Sequence, residues 1–493
     1  MRIAIIGAGF AGLSAAKVLT GFGHQVAVFE KAPDVGGVWS RIRRYPGLSA
    51  QNNKASYSFS DFPMPSSYPE WPSGEQVQLY LADYVQRFGL GPALRLSTEV
   101  LHADLDRVSG QWTLRTKYGY EEEVQGPFEH LVVANGVFCD PLMPDYDGAE
   151  EFRAAGGRLC HSSEFIDHAV VENKEVVVVG YGKSACDLAG ALSGVANSTT
   201  VVARELMWKM PKRLGGVLNY KYLVLTRLGE ALFPYVETRG MERFLHGRAG
   251  VVLNALVNGL QWATTRQLKL AELGLIPDGT FRDIARSTIS LATDGFYDRV
   301  RTGQIVVHRG CVITRLLARD GRAAAELSTG EIVGADVVIC GTGFRQRVPF
   351  LAEDLQEELT DESGNFELYR QILPHTVPRL VFAGYNSSLF SPLSAEIAAV
   401  WIASYLSGAV PPPPLEARRA FVQKRLRWME QRTCGHHARG TNIIPFSMHN
   451  IDEMLSDLGT DVSRATRLKQ WLLPIDPRAY REITSMAPEN QRR

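Results

Sequence analysis

Four things are missing from this chain of 493 residues, and each absence narrows its reading. No sign of charge predominates: Lys plus Arg and Asp plus Glu number 53 each. A broad field for nucleic acid or for an anionic membrane is therefore not expected, although a local basic pocket remains compatible with the balance. Paired cysteines are missing too. The six stand apart, at 139, 160, 186, 311, 340 and 434, with no CxxC among them. That argues against a dithiol oxidoreductase and for free thiols in a reducing cytoplasm. Cys434 has His436 and His437 close by, but no second ligand pair at zinc spacing, so no metal site is expected. There is no uninterrupted apolar run of about 18 residues, the length that spanning a bilayer requires. Finally, the apolar N-terminus lacks a basic leader and a small-residue cleavage site, and glycines break it. The expectation is a cytoplasmic protein.

At roughly 150 residues per domain, the length suggests about three units. No repeat of solenoid period is present. Instead, one short pattern occurs twice. Residues 2–6 read as a buried strand, Gly7, Gly9 and Gly12 follow, and a helix is expected from Leu13 to about Phe22. The next strand covers 25–30 and ends on Glu30. A glycine-rich turn between strand and helix is the required setting for a dinucleotide site. Gly7 permits the tight turn, Gly9 lets the backbone approach a pyrophosphate, and Gly12 lets the helix pack on the strand. The helix start adds unpaired N–H groups and partial positive charge. A carboxylate at Glu30 suits a ribose diol.

The second copy begins with a strand over 175–180. Gly180, Gly182 and Ala185 make the turn, a helix is expected over 184–192, and a strand over 199–204 ends on Arg204. A guanidinium there suits a 2′-phosphate, which favours NADPH over NADH. Trp208, Lys209, Lys212 and Arg213 follow closely and suggest a local basic pocket.

Further strands are read at 127–134, 335–340 and 379–384, with a helix over 396–406. The leucine-rich stretch 217–280 reads as a helical insertion. Its most apolar part, 250–265, is a candidate for a lid, an oligomer contact or peripheral membrane contact, or else packs on its own domain. The polar helical tail after Pro414 reads as solvated faces.

Several segments resemble the class B flavin monooxygenases, the group of flavin-containing, N-hydroxylating and Baeyer–Villiger enzymes. Glu30 to Trp39 resembles that family's acid followed by a GGxW turn; Lys54 to Pro63 resembles its FSDFP-like stretch. Ala134, Asn135 and Gly136 resemble its ATG element, with Asn135 where Thr is common. Thr342, Gly343 and Phe344 resemble its second ATG-like turn. Gly157, His161 and Phe165 keep the spacing of its fingerprint, with Ala155 in place of the leading Phe.

The resemblance implies an α/β fold of two Rossmann-like dinucleotide-binding domains, the second inserted in the first. Residues 1–150 with 330–493 would bind FAD, and 165–325, carrying the insertion, would bind NADPH. FAD contacts are then expected from Gly7, Gly9, Phe10, Ala11 and Gly12, from Glu30, Lys31, Gly37, Val38 and Trp39, and from both ATG-like turns. NADPH contacts are expected from Gly180, Gly182, Lys183, Ser184, Ala185 and Arg204. His161 and Phe165 would link the domains.

The resemblance also implies a C4a-(hydro)peroxyflavin formed with O₂, which oxygenates a small-molecule substrate. Gln51 falls where the flavin-containing branch has Asn and the Baeyer–Villiger branch has Asp, and Asn52 and Asn53 adjoin it. These three amides are the candidate catalytic residues. An uncharged residue at 51, and no Lys-Arg pair within 285–300, favour oxygenation of amine nitrogen or sulfide over a Baeyer–Villiger reaction. A flavin-binding interaction module without turnover is the rival of another class. The substrate pocket is expected between the domains near Gln51, bounded by the insertion. The oligomeric state is left open, a homodimer included.

Overall fold

The computed structural model describes residues 1–285, 290–386, 388–433 and 447–485. Strand β1 (Arg2–Ile6) is apolar after its first residue and buried on both faces, as a central strand of a parallel sheet must be. It pairs in parallel with β2 (Gln25–Phe29) on one side and with His130–Val133 on the other. Leu380–Phe382 and Leu94–Arg95 complete a five-stranded sheet. Helix α1 (Phe10–Gly21) covers one face and begins three residues before the expected Leu13. An antiparallel meander of Thr98–Leu105, Trp112–Tyr118 and Glu121–Phe128 packs on the other face, where Trp112, Leu114 and Phe128 meet Ala4 and Ile6.

The second half repeats the plan. Strand β3 (Glu175–Val179), helix α2 (Lys183–Leu192) and strand β4 (Ser198–Ala203) form the second unit. The sheet runs in the order 306–309, β4, β3, 337–340, 158–161, all parallel. Its meander is Ile313–Arg319, Arg322–Leu327 and Ile332–Gly334. Two of its strands, Arg158–His161 and Val337–Cys340, lie outside the 165–325 expected for this unit. Val337–Cys340 was expected with the FAD-binding residues 330–493, and that expectation is corrected, since it pairs with Glu175–Val179; Arg158–His161, assigned to neither unit, pairs with it in turn. The two chain crossings between the sheets run side by side, since Asp140–Pro141 pairs with Phe344–Arg345. The mixed α/β architecture of two Rossmann-like units is therefore present.

The stretch 217–280 is helical, as its spacing suggests, with α3 (Gly250–Gln267) its longest element. That helix buries only Leu253, Val257 and Thr264. Val251 is 83% exposed and Trp262 65%, so most of its apolar surface is not spent on its own domain. No described helix is long and apolar enough to cross a membrane.

The charged tail is not merely solvated, and that expectation is corrected. Helix α4 (Ser391–Leu406) packs against both α1 and α5 (Ser447–Asp457). Arg370 donates from Nε and one Nη to the two oxygens of Asp457 at 2.8 Å each, and Trp401 Nε1 donates to the same carboxylate at 3.0 Å. Arg227 of the insertion forks onto Asp452 at 2.6 and 2.8 Å. These partners are far apart in sequence, so the local charge pattern could not reveal them. Cys434, His436 and His437 lie outside the described residues, and among the described residues no cluster suits a metal.

One carboxyl of the core titrates unusually. Glu396 on α4 is buried and accepts from Ser60 N and Ser60 Oγ at 2.8 and 2.9 Å. Burial pushes its pKa from 4.5 up to about 8. The folded state thus holds this proton more tightly than the unfolded chain, so its contribution falls as pH rises from about 4.5 through about 8. Chemical denaturation across that window is expected to show a flatter pH slope for Glu396→Gln than for the parent. Equal slopes would contradict the assignment.

Candidate functional site

A cavity of about 270 Å³ opens along the carboxyl ends of the first sheet. Its walls come from the first glycine turn, from Glu30 and Lys31, and from Gly37, Val38 and Trp39. Ala134, Asn135 and Gly136 close another side. A Cβ at Gly7, which has φ +112°, would meet Ala134 O at 2.3 Å. A Cβ at Gly12 would lie 1.9 Å from Gly7 O. Gly9 instead faces Gly37 backbone to backbone, with room for a ligand chain beside them. No side chain caps the start of α1. Its first amides are therefore left for an anion.

Glu30 is buried and its two oxygens accept from Ala8 N and Ala32 N, each at 2.8 Å. Each oxygen keeps a further lone pair for a hydroxyl in the cavity. Asn135 Oδ1 accepts from Tyr385 O–H at 2.8 Å. This cradle, which a methyl group would fill, fits a dinucleotide such as FAD.

Sequence reasoning missed several wall residues. Arg43, Tyr57 and Asn386 line the cavity, and Asn450 and Met454 reach it from α5, more than 300 residues beyond the turns they face. Arg370 and Gln371 line it in left-handed conformations, φ +57° and +62°. Two consecutive non-glycine residues of this kind mark a constrained corner.

Thr342, Gly343 and Phe344 stand back from the cavity. Gly343 O accepts from His161 Nε2 at 3.0 Å, Thr342 Oγ1 donates to Leu142 O at 2.5 Å, and the Phe344 ring meets the His161 ring edge-on at 4.8 Å. His161 and Phe165 are buried. Burial lowers the His161 pKa, which keeps the ring neutral. Its second nitrogen lies 2.8 Å from Ser163 Oγ.

The second turn has the same build. Gly180 has φ +109°, and a Cβ there would meet Gly341 O at 2.6 Å. Gly182 begins α2 without a side-chain cap. Its first turn, with Ser184 and Ala185, is free to face a diphosphate. Lys183 is held by Asp187 on the next turn. Asp187 also accepts from Thr293 Oγ1 at 2.5 Å.

Arg204 directly follows β4 with its side chain 72% exposed, and its Nε lies 3.9 Å from Glu205. An available guanidinium at this place fits a 2′-phosphate. The expected basic crowd around it is not there. Lys209 is buried and donates to Tyr181 O at 2.8 Å, Lys212 pairs with Asp294 at 2.5 Å, and Arg213 with Glu70 at 3.3 Å. Each cation found a partner distant in sequence that strand spacing does not disclose.

The three candidate amides are not equivalent. Asn52 is buried, donates to Leu389 O and accepts from Tyr220 O–H at 3.0 Å. Asn53 is buried and its Oδ1 accepts from Ser56 N at 2.9 Å. Gln51 is half-buried, and its Oε1 accepts from Leu291 N at 3.3 Å. None of the three lines the flavin-side cavity; Asn53 stands one step behind its wall, for Asn53 O accepts from Tyr57 N at 3.0 Å and Tyr57 lines the cavity.

Beside Leu291, a second and more open cavity of about 430 Å³ is lined by Ala292, Thr293, Trp71, Lys212 and the end of α3 at Gln267. Arg213, Gly216, Asp294 and Tyr297 form other parts of its wall, and Leu291, which donates to Gln51, adjoins it in the chain.

A family model described as flavin-binding monooxygenase-like matches residues 1–478. A 4-hydroxybenzoate brominase (decarboxylating) of Marinomonas mediterranea is 27% identical, covering 86% of this chain and 77% of its own length. The probable flavin-containing monooxygenase 1 of Arabidopsis thaliana is 26% identical, covering 97% and 96%. Among solved structures, the closed form of cyclohexanone monooxygenase superposes with a TM-score of 0.69 at 18% identity, over 92% of this chain and 96% of that one. At that identity the likeness speaks to fold alone.

The first turn yields a direct test. Gly12→Ala is expected to purify without flavin colour, because its Cβ would collide with Gly7 O, whereas Gly21→Ala on the same helix, with nothing within 4 Å, keeps it. Equal flavin content in the two variants would remove the turn from the binding site.

Proposed function

The chain belongs to the flavin-binding monooxygenase-like family, and from that premise we propose that this FAD- and NADPH-dependent monooxygenase works in the cytoplasm and transfers one atom of O₂ to amine nitrogen or sulfide sulfur of a small molecule. When bound, FAD would supply the redox chemistry, accepting hydride from NADPH and, once reduced, activating O₂. The protein's own part is to bind, orient and keep dry. The start of α1 and Glu30 hold one dinucleotide by its diphosphate and ribose. The start of α2 and Arg204 hold the other by its diphosphate and 2′-phosphate. Trp39, Tyr57 and Met454 exclude water from the first cavity. Gln51, bonded to Leu291 beside the second cavity, offers an amide donor toward the reacting atoms, while Asn52 and Asn53 brace it from behind. Substrate approaches through the second cavity, past Trp71 and the end of α3.

The observation that carries the choice of nucleophile is the uncharged contact at Gln51, whose Oε1 accepts a backbone N–H from Leu291. By the resemblance, a Baeyer–Villiger site would require an acid at 51 and an arginine from a Lys-Arg pair in 285–300, and the sequence supplies neither. A soft nucleophile needs no such charged pair to attack the activated oxygen, only placement and a dry pocket.

Two measurements test this. Offered a ketone, an amine and a sulfide together with NADPH and air, the enzyme is expected to oxygenate amine or sulfide. Ester as the main product would transfer it to the Baeyer–Villiger class. Separately, Arg204→Ala is expected to raise KM for NADPH about tenfold with little change for NADH, as suits the loss of one charge-assisted contact at an exposed site. Equal effects on both nucleotides would take Arg204 away from the 2′-phosphate.

A further inference from the structure

Tyr220 belongs to the insertion, yet its hydroxyl is spent on a different part of the chain. The residue is 1% exposed and immediately precedes the short helix Lys221–Val224. Its oxygen lies 2.8 Å from Gln51 O and 3.0 Å from Asn52 Oδ1, both of which can only accept. Asn52 passes the connection on by donating to Leu389 O, just ahead of α4, whose Ser391, Ser394 and Ala395 line the flavin-side cavity. One phenol thus joins three segments: the insertion, the Gln51 loop and the approach to α4.

Its neighbours make the grip two-pointed. Asn219 Nδ2 and Lys221 Nζ donate to Glu70 Oε1 at 2.9 and 2.7 Å, and the Glu70 carbonyl accepts from Lys54 N at 2.8 Å. The loop from 51 to 54 is therefore held from the insertion at both ends. Burial raises the Tyr220 pKa, so the phenol stays protonated and acts as a fixed donor rather than a proton relay.

We infer that Tyr220 is a positioning residue for oxygen transfer: through Gln51 O and Asn52 it fixes the direction of the Gln51 amide, and so gives the insertion control over coupling of NADPH oxidation to product. This rests on the role of Gln51 proposed above. A supporting contact of this kind sets how closely a reacting group is held, which is where loosely braced sites lose efficiency. A tyrosine that merely filled space would owe nothing to its hydroxyl.

Tyr220→Phe keeps the ring and removes only that hydroxyl. Oxygenated product formed per NADPH consumed is expected to fall about fivefold, with hydrogen peroxide making up the difference, while KM for NADPH stays within about twofold. In the oxidised protein without NADPH, amide hydrogen exchange over 50–57 is expected to quicken about fivefold, a readout independent of turnover. In a Gln51→Ala background, Tyr220→Phe is expected to change coupling no further, because the two act as one unit.

Unchanged coupling in Tyr220→Phe, while Gln51→Ala uncouples, overturns the inference and leaves the role of Gln51 standing. Full coupling in Gln51→Ala overturns both. An equal further loss from Tyr220→Phe in the Gln51→Ala background overturns the inference as well, since Tyr220 would then act elsewhere.

Discussion

A Cβ at position 12 would sit 1.9 Å from the Gly7 carbonyl oxygen, and one at position 180 would sit 2.6 Å from that of Gly341. These two clearances hold the rest of the architecture in place. Because α1 lies directly on the end of β1, its bare amides point at the mouth of the first sheet. Because Gly180 presses on the turn after the strand Val337–Cys340, the second helix start is set by a segment that leads straight back to the first domain through Phe344. His161, bonded to Gly343 O, sits at this crossing. His161 thus ties the end of one crossing strand to the segment that returns to the first sheet, and its lowered pKa fits a neutral, hydrogen-bonded ring.

The insertion and the tail complete what the two sheets begin. Glu230 of the insertion accepts from the Met448 backbone N–H, and Arg227 grips Asp452. Burial raises the Glu230 pKa to about 7. Helix α5, fastened this way, carries Asn450 and Met454 to the flavin-side cavity. The same insertion reaches the Gln51 loop through Tyr220. The insertion and the tail are thus fastened to each other and to the walls of the cofactor cavity.

Much of the fold was legible because parallel strands buried on both faces are short apolar runs, and 2–6, 25–30 and 175–180 are such runs. The glycine turns were legible for a steric reason that the clearances make plain. Glu30 and Arg204 were found by their place at the end of a strand. Other features were hidden because they depend on contacts between distant segments. Nothing near Lys209 announces that its ammonium turns inward to Tyr181 O, and nothing near Asp457 announces Arg370 and Trp401. Both meanders went unread, since their alternation is weaker than the signal of buried strands. Tyr220 carried no sequence signal either, because its importance comes from two acceptors about 170 residues away.

On this reading the two turns bring a nicotinamide against a flavin. Adding NADPH to the purified protein under nitrogen tests it most directly. The expected result is a yellow protein that bleaches with one equivalent of NADPH and recovers its colour in air. A colourless preparation that takes up no FAD, or a yellow one that NADPH leaves unchanged, would contradict it.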